Sequence, residues 1–204
     1  MKPRFSRRAF AAQALAITEI DANDVWRRLY LTKYPNPLGF GYALSRFSDP
    51  RLTAKPPVRF GVVYLGRSVK VCFAEAIQRD RAVGRSGSFP IEYAELEDWT
   101  CAEIAVVARL KLVDLRGDGV IRMGIPTDVA QAKSHKLGQT WSRRIWEHPD
   151  KVDGIIYASR LNGETNIAVY DRALAKLASV ATPRLIECRN ELAEIIDAFD
   201  LAIV

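Results

Sequence analysis

The chain has 204 residues, 49% of them hydrophobic, with 30 Lys+Arg against 24 Asp+Glu; it is long enough to bury a core and too apolar to be disordered. Its net charge of +6 suits an anionic ligand such as a phosphate-bearing nucleotide, or weak nucleic-acid contact, without choosing between them. Cys72, Cys101 and Cys188 are odd in number, far apart and set in apolar sequence, which argues against a disulfide framework, and two histidines, His135 and His148, give no metal-ligand spacing.

Buried thiols in a reducing, cytoplasmic setting are therefore expected. The run "SRRAFAAQALAI" at 6–17 has the twin arginines of an export signal. Its apolar stretch is short, alanine-rich, broken by Gln13 and followed by "TEIDAND" without a small-residue cleavage site, so an amphipathic first helix is expected instead. No segment has the length of a membrane span.

"DVWRRLYLT" (24–32) reads as a strand, "KYPNPLGFG" as a break, "YALSRFS" (42–48) as a short strand and "DPRLTAKPP" as a loop. "VRFGVVYL" (58–65) is a buried strand, followed by a tight turn at Gly66 and a helix over "SVKVCFAEAIQRDRA" (68–82). "CAEIAVVARLKLVDL" (101–115) is the longest strand-like stretch, and "RGDGVIRMGIP" is loop. Residues 127–148 give one or two helices with an N-cap at Thr127 and a weak point at Gly138. Two strands, "VDGIIYAS" and "TNIAVYD", flank "RLNGE", and "IECRNELAEIIDAFDLAI" closes the chain as a helix. Strands and helices mix without a strict βαβ rhythm, so the fold class is α+β. "GRSGSFP" and "GFGYAL" are only fragments of phosphate-binding glycine loops.

One acid stands out. On the helix after Ser68, Val69, Cys72, Phe73, Ala76 and Ile77 form an apolar stripe, and Glu75 lies about 120° from its centre, beside Val71 and Ala74. The structural alternative is an i,i+4 pair with Arg79. Ser68 is a cap candidate, but Val71 at the third helical position rules out a capping box.

Set beside "VWRRLY" and "VDGIIYASRLNGETNIAVY", this segment completes an ordered series: strand-Arg, strand-Tyr-turn-helix-Glu, and "DGIIYASR". The series resembles the RES-domain family, named for arginine, glutamate and serine, over residues from about Val25 to Tyr170. Trp26-Arg27 matches the family's aromatic-Arg pair, Ser45-Arg46-Phe47 its arginine-aromatic turn, Tyr64 the tyrosine ending the strand, Glu75 the helix acid and Ser159 the serine closing "DGIIYAS". Leu44-Ser45 stand where the family has a glycine pair, and the segment between Phe47 and Phe60 is longer than usual. Arg28 competes with Arg27, since adjacent strand residues face opposite ways; Arg27 is preferred because it follows Trp26.

The resemblance implies an ADP-ribosyltransferase-like mixed β core with flanking helices, and three parts: an N-terminal helical extension (1–22), an NAD-binding catalytic domain (23–175) and a C-terminal helix packed on it (176–204). It also implies degradation of NAD⁺ as a glycohydrolase or phosphorylase, often by a bacterial toxin under a cognate antitoxin. NAD⁺ is then the substrate, with inorganic phosphate as one acceptor; no further cofactor, no metal, no membrane and no direct nucleic-acid contact are expected, while a homo-oligomer is left open.

Under that resemblance Glu75 stabilises the oxocarbenium-like ribose, Arg27 and Arg46 grip phosphate oxygens, Tyr64 stacks on nicotinamide, and Ser159 orients Glu75 or the nicotinamide amide, with Asn166 beside it. Each has a structural alternative: Arg27 pairing with Asp24 or Glu19, Tyr64 as a core aromatic, Ser159 as a turn residue. Two competing functions are ADP-ribosyl transfer to a macromolecule and nucleic-acid binding. Dispersed basic residues disfavour the second, and the tryptophans of "WSRRIWEH" are better explained by helix packing than by base stacking.

Overall fold

A computed structural model describes residues 7–81, 83–84 and 86–204. Ten strands run in chain order: β1 Ile17–Ile20, β2 Val25–Leu31, β3 Val62–Gly66, β4 Phe89–Ile91, β5 Trp99–Val106, β6 Leu110–Asp114, β7 Gly154–Ala158, β8 Thr165–Tyr170, β9 Leu177–Ala181 and β10 Leu201–Ile203. Eight of them form one sheet in the order β1-β6-β7-β8-β3-β2-β5-β9, antiparallel throughout except for the parallel β6/β7 pair. β10 and β4 pair in parallel as a separate ribbon. The helices are α1 Arg7–Ala11, α2 Val69–Phe73, α3 Tyr93–Glu97, α4 Gly119–Arg122, α5 Asp128–Gln131, α6 Lys136–Trp146 and α7 Arg189–Ala198. This is the α+β arrangement, a mixed β core with flanking helices, that the sequence leads one to expect.

Strand periodicity divides the core between the faces of the sheet. Val63, Leu65, Ile156, Ile167 and Val169 enter one cluster, while Val62, Ile155, Tyr157, Ala168 and Tyr170 enter another together with Trp141 and Ile145 of α6. A third cluster joins Leu29 and Cys101 to α2 and α7 through Val69, Cys72, Phe73 and Ile195. The tryptophans of α6 do pack: Trp141 meets Phe10 edge-on at 5.1 Å, and Trp146 stacks on Phe60 at 5.2 Å. The three cysteines are free, two buried and Cys188 partly so. Among the described residues no helix is long and apolar enough to cross a membrane.

Several local expectations change. Of the N-terminal segment, residues 1–6 lie outside those described; α1 spans only Arg7–Ala11, and β1 pairs with β6 at the sheet edge. β1 and β9, which fall in the expected outer segments 1–22 and 176–204, thus belong to the same sheet as the central strands. The 101–115 stretch splits into β5 and β6, the "RGDGVIRMGIP" loop contains α4, and Gly138 lies inside α6 without breaking it. The Tyr42–Ser48 segment is not a strand. Its backbone groups are taken by side chains instead of a ladder: Ser48 Oγ accepts from Ser45 N, Tyr64 Oη from Phe47 N, and the carbonyls of Ser45 and Phe47 accept from Gln139 Nε2 and Ser142 Oγ.

Candidate functional site

The cleft opens where β2 and β3 part. These strands share a single register pair, Arg27↔Gly66, and beyond it Arg28 and Leu29 face Tyr64 and Leu65 across a space of about 490 Å³. Gly66 is required at the junction, because a Cβ there would lie 2.6 Å from both Cys72 Sγ and a Val71 methyl.

The helix carrying Glu75 begins as drawn from sequence, with Ser68 Oγ accepting from Val71 N at 3.1 Å. After Phe73 it widens into a π-helical turn, Ala74–Gln78, closed by Arg79 N to Ala74 O at 2.7 Å. Arg79 takes φ 46° and ψ −126°, a conformation that costs a non-glycine residue about 1–3 kcal/mol and is concentrated at functional sites. Its Nε donates to the backbone carbonyl of Glu75, not to the carboxylate, so the i,i+4 hydrogen bond from Arg79 does not engage the acid.

The Glu75 carboxylate instead turns to β7 and β8, of which β8 adjoins β3 in the sheet. Oε1 accepts from Ser159 Oγ at 2.7 Å and from Asn166 Nδ2 at 3.4 Å. Both donors are buried, Ser159 at 2% exposure and Asn166 at 4%, whereas Glu75 is half-buried and reaches the cleft. Ser159 sits where β7 ends, its Oγ also accepting from Leu161 N, and Asn166 lies on β8 between Tyr157 and Gly66. Glu164 ties these segments together: it accepts from Ser68 Oγ, pairs with Lys70 at 3.3 Å, accepts from Asn162 Nδ2, and its carbonyl accepts from Ser159 N. The N-terminus of α2 and the β7–β8 turn are thereby held in one register, which fixes the acid against its donors.

The Ser45–Phe47 turn forms the opposite wall. Tyr64 Oη bonds Ser45 Oγ and Phe47 N, each at 2.8 Å, and burial pushes its phenol up to about 12, so it stays protonated. Gly138 permits α6 to approach: a Cβ there would sit 2.5 Å from the Arg46 carbonyl. Arg46 is 9% exposed, donates to Ala132 O at 2.6 Å and lines the cleft.

Five of the six residues singled out in the sequence thus come together: Glu75, Ser159, Asn166, Tyr64 and Arg46. Arg27 does not. Its guanidinium pairs with Glu103 on β5 at 3.2 Å, outside the cleft lining, and Arg28 lines the cleft in its place. Arg28 donates to Pro37 O at 2.5 Å and Gly39 O at 2.8 Å, pinning the loop that leads to Arg46; burial lowers its pKa from the ordinary arginine value. The aromatic-Arg pairing pointed to the wrong neighbour because Trp26 and Arg27, like any adjacent strand residues, face opposite ways.

Arg79, Asp80, Lys133, His135 and Arg160, none of them among those six, line the remaining rim. They lie in turns with no periodic pattern; the only signal was that Arg160 follows Ser159. His135, exposed at the rim, is held below the usual histidine range by partial desolvation and by Arg46, Arg160 and Arg79. His148 is buried at 3% exposure, with Nε2 bonded to Gln13 O and Nδ1 accepting from Asp150 N, remote from this lining. Among the described residues no group of three or more His, Cys, Asp or Glu could hold a metal ion.

Fold and site together define an α+β protein with the half-buried Glu75 carboxylate held by buried donors in a largely basic cleft. The chain belongs to the RES-domain family, whose model it matches over residues 24–191. The probable toxin y4kH of Sinorhizobium fredii (strain NBRC 101917 / NGR234) is 55% identical over 126 residues, which are 62% of this chain and 99% of that protein. A chain of the M. tuberculosis MbcT–MbcA toxin–antitoxin complex shares the fold with a TM-score of 0.59 at 17% identity, covering 86% of this chain and 92% of its own.

Proposed function

We propose that this protein is an NAD⁺-degrading toxin that cleaves the nicotinamide N-glycosidic bond, passing ADP-ribose to water or inorganic phosphate. The observation that carries the reading is the Glu75 carboxylate, oriented by Ser159 and Asn166 in a cleft whose other charged lining residues are mostly cations. Breaking the bond builds positive charge on the ribose, and a fixed carboxylate beside that sugar stabilises it in the transition state. Nicotinamide departs neutral and needs no proton, so one acid suffices. Arg28 and Arg46 carry the positive charge that a pyrophosphate needs, and the Tyr64 ring lines the space beside Glu75.

A cognate antitoxin is the expected partner, in keeping with the toxin–antitoxin complex that shares the fold. An open cleft of this kind in a growing cell requires a protein that covers it. Purified protein incubated with NAD⁺ should release nicotinamide, with ADP-ribose as the second product in plain buffer and a phosphorylated ADP-ribose when phosphate is the acceptor. Recovery of all NAD⁺ intact, or label appearing only on a macromolecule, would reject the reaction.

A further inference from the structure

One carboxylate of the cleft lining is paired with a cation of that lining. Arg160 Nη2 donates to Asp80 Oδ1 at 2.6 Å, and Lys133 and Arg46 line the same cleft. Asp80 follows the π turn that presents Glu75, and Arg160 follows Ser159, so the Asp80–Arg160 pair runs alongside the Glu75–Ser159 bond and joins the same two segments. The two tethers differ in depth. Ser159 is 2% exposed, whereas the side chains of Asp80 and Arg160 keep 37% and 24% of their exposure.

A carboxylate among cations that line a ligand cleft presents to them the same chemistry as a phosphate: paired anionic oxygens accepting charge-assisted hydrogen bonds. We infer that Asp80 is a built-in placeholder for a phosphate group of the ligand, satisfying Arg160 in the free protein and yielding it when that group binds. Asp80 then sets affinity rather than chemistry, because a phosphate must compete with it for Arg160. This rests on the proposed nucleotide reading of the cleft. The arriving phosphate belongs either to a dinucleotide pyrophosphate or to free inorganic phosphate, and the two are separated by titrating each.

A buttress would behave in the opposite way. If the pair served only to hold the two segments together, its loss would loosen Glu75 and weaken every ligand.

The test is isothermal titration of ADP-ribose and, separately, of inorganic phosphate into the wild type, Asp80→Asn and Asp80→Ser, each checked by thermal melt. The inference expects both variants to bind at least one of these anions tighter by about two- to fivefold, the factor that releasing one exposed ion pair allows, with a steeper salt dependence. The gain should vanish in an Arg160→Gln background. Wild type that binds ADP-ribose while neither Asp80 variant binds either anion tighter, or a gain that survives Arg160→Gln, overturns the placeholder and leaves the nucleotide reading standing. Failure of all proteins to bind either anion overturns both.

Discussion

Ser159 and Glu75 lie 84 residues apart in the chain and share a 2.7 Å hydrogen bond, with the serine hydroxyl donating to the carboxylate. The serine is buried and its hydroxyl also accepts from Leu161 N, so it is a fixed donor and holds the acid in one orientation.

Ser159→Ala should therefore leave substrate affinity nearly unchanged while lowering kcat for nicotinamide release by about 10- to 100-fold, the scale expected when a catalytic group loses its alignment. Steady-state kinetics separate the two parameters; a rise in KM at constant kcat would assign the serine to ground-state binding instead.

The two strand arginines give opposite expectations. Arg27 makes one partly exposed pair with Glu103, and Arg27→Ala should change stability by no more than about 1 kcal/mol and leave KM alone. Arg28 bonds two backbone carbonyls from within the fold, and Arg28→Ala should cost about 1–3 kcal/mol in urea unfolding and raise KM, because the loop leading to Arg46 loses its anchor. Equal effects from both variants would contradict the placement of Arg28 at the cleft.

Gly138→Ala tests how the opposite wall is held. The added methyl meets the Arg46 carbonyl at 2.5 Å and the Val129 carbonyl at 3.1 Å, and neither backbone can yield cheaply. Destabilisation of about 1–3 kcal/mol is expected, with KM rising as the Ser45–Phe47 turn is pushed outward. A variant with wild-type stability and KM would show that α6 does not position Arg46.

Alkaline pH should weaken the fold. Burial pushes Tyr64 and Cys72 up to about 12 and raises Tyr157 and Tyr170 as well. In the unfolded chain these groups titrate near ~8.5 for Cys and ~10 for Tyr, so across that window the native state holds more protons. Their contribution is fully present below the unfolded values and is lost as pH rises through the folded ones. Urea midpoints measured from about pH 8 to pH 11 should fall steadily; a flat profile would mean that these groups are not buried as described.

What was legible in the sequence follows from where each residue sits. Tyr64, Glu75, Ser159 and Asn166 lie on or at the ends of regular elements, so apolar periodicity fixed their surroundings and a polar residue in such a run was conspicuous. Arg27 and Arg28 could not be told apart because the single register pair with β3 decides which side chain meets the cleft, and that pairing depends on the whole sheet. "YALSRFS" has the composition of a strand, yet its backbone partners are Tyr64, Gln139 and Ser142, residues far away in the chain. Asp80, Lys133, His135 and Arg160 are turn residues whose convergence is purely tertiary.

The central claim is that a charged carboxylate at position 75, in this orientation, performs the chemistry. Glu75→Gln keeps the size of the side chain and an acceptor for Ser159 while removing the negative charge. Nicotinamide release measured on this variant, with a circular dichroism spectrum and thermal melt matching the wild type, should fall by on the order of 10²-fold or more. Release at the wild-type rate from a properly folded Glu75→Gln protein would contradict the account.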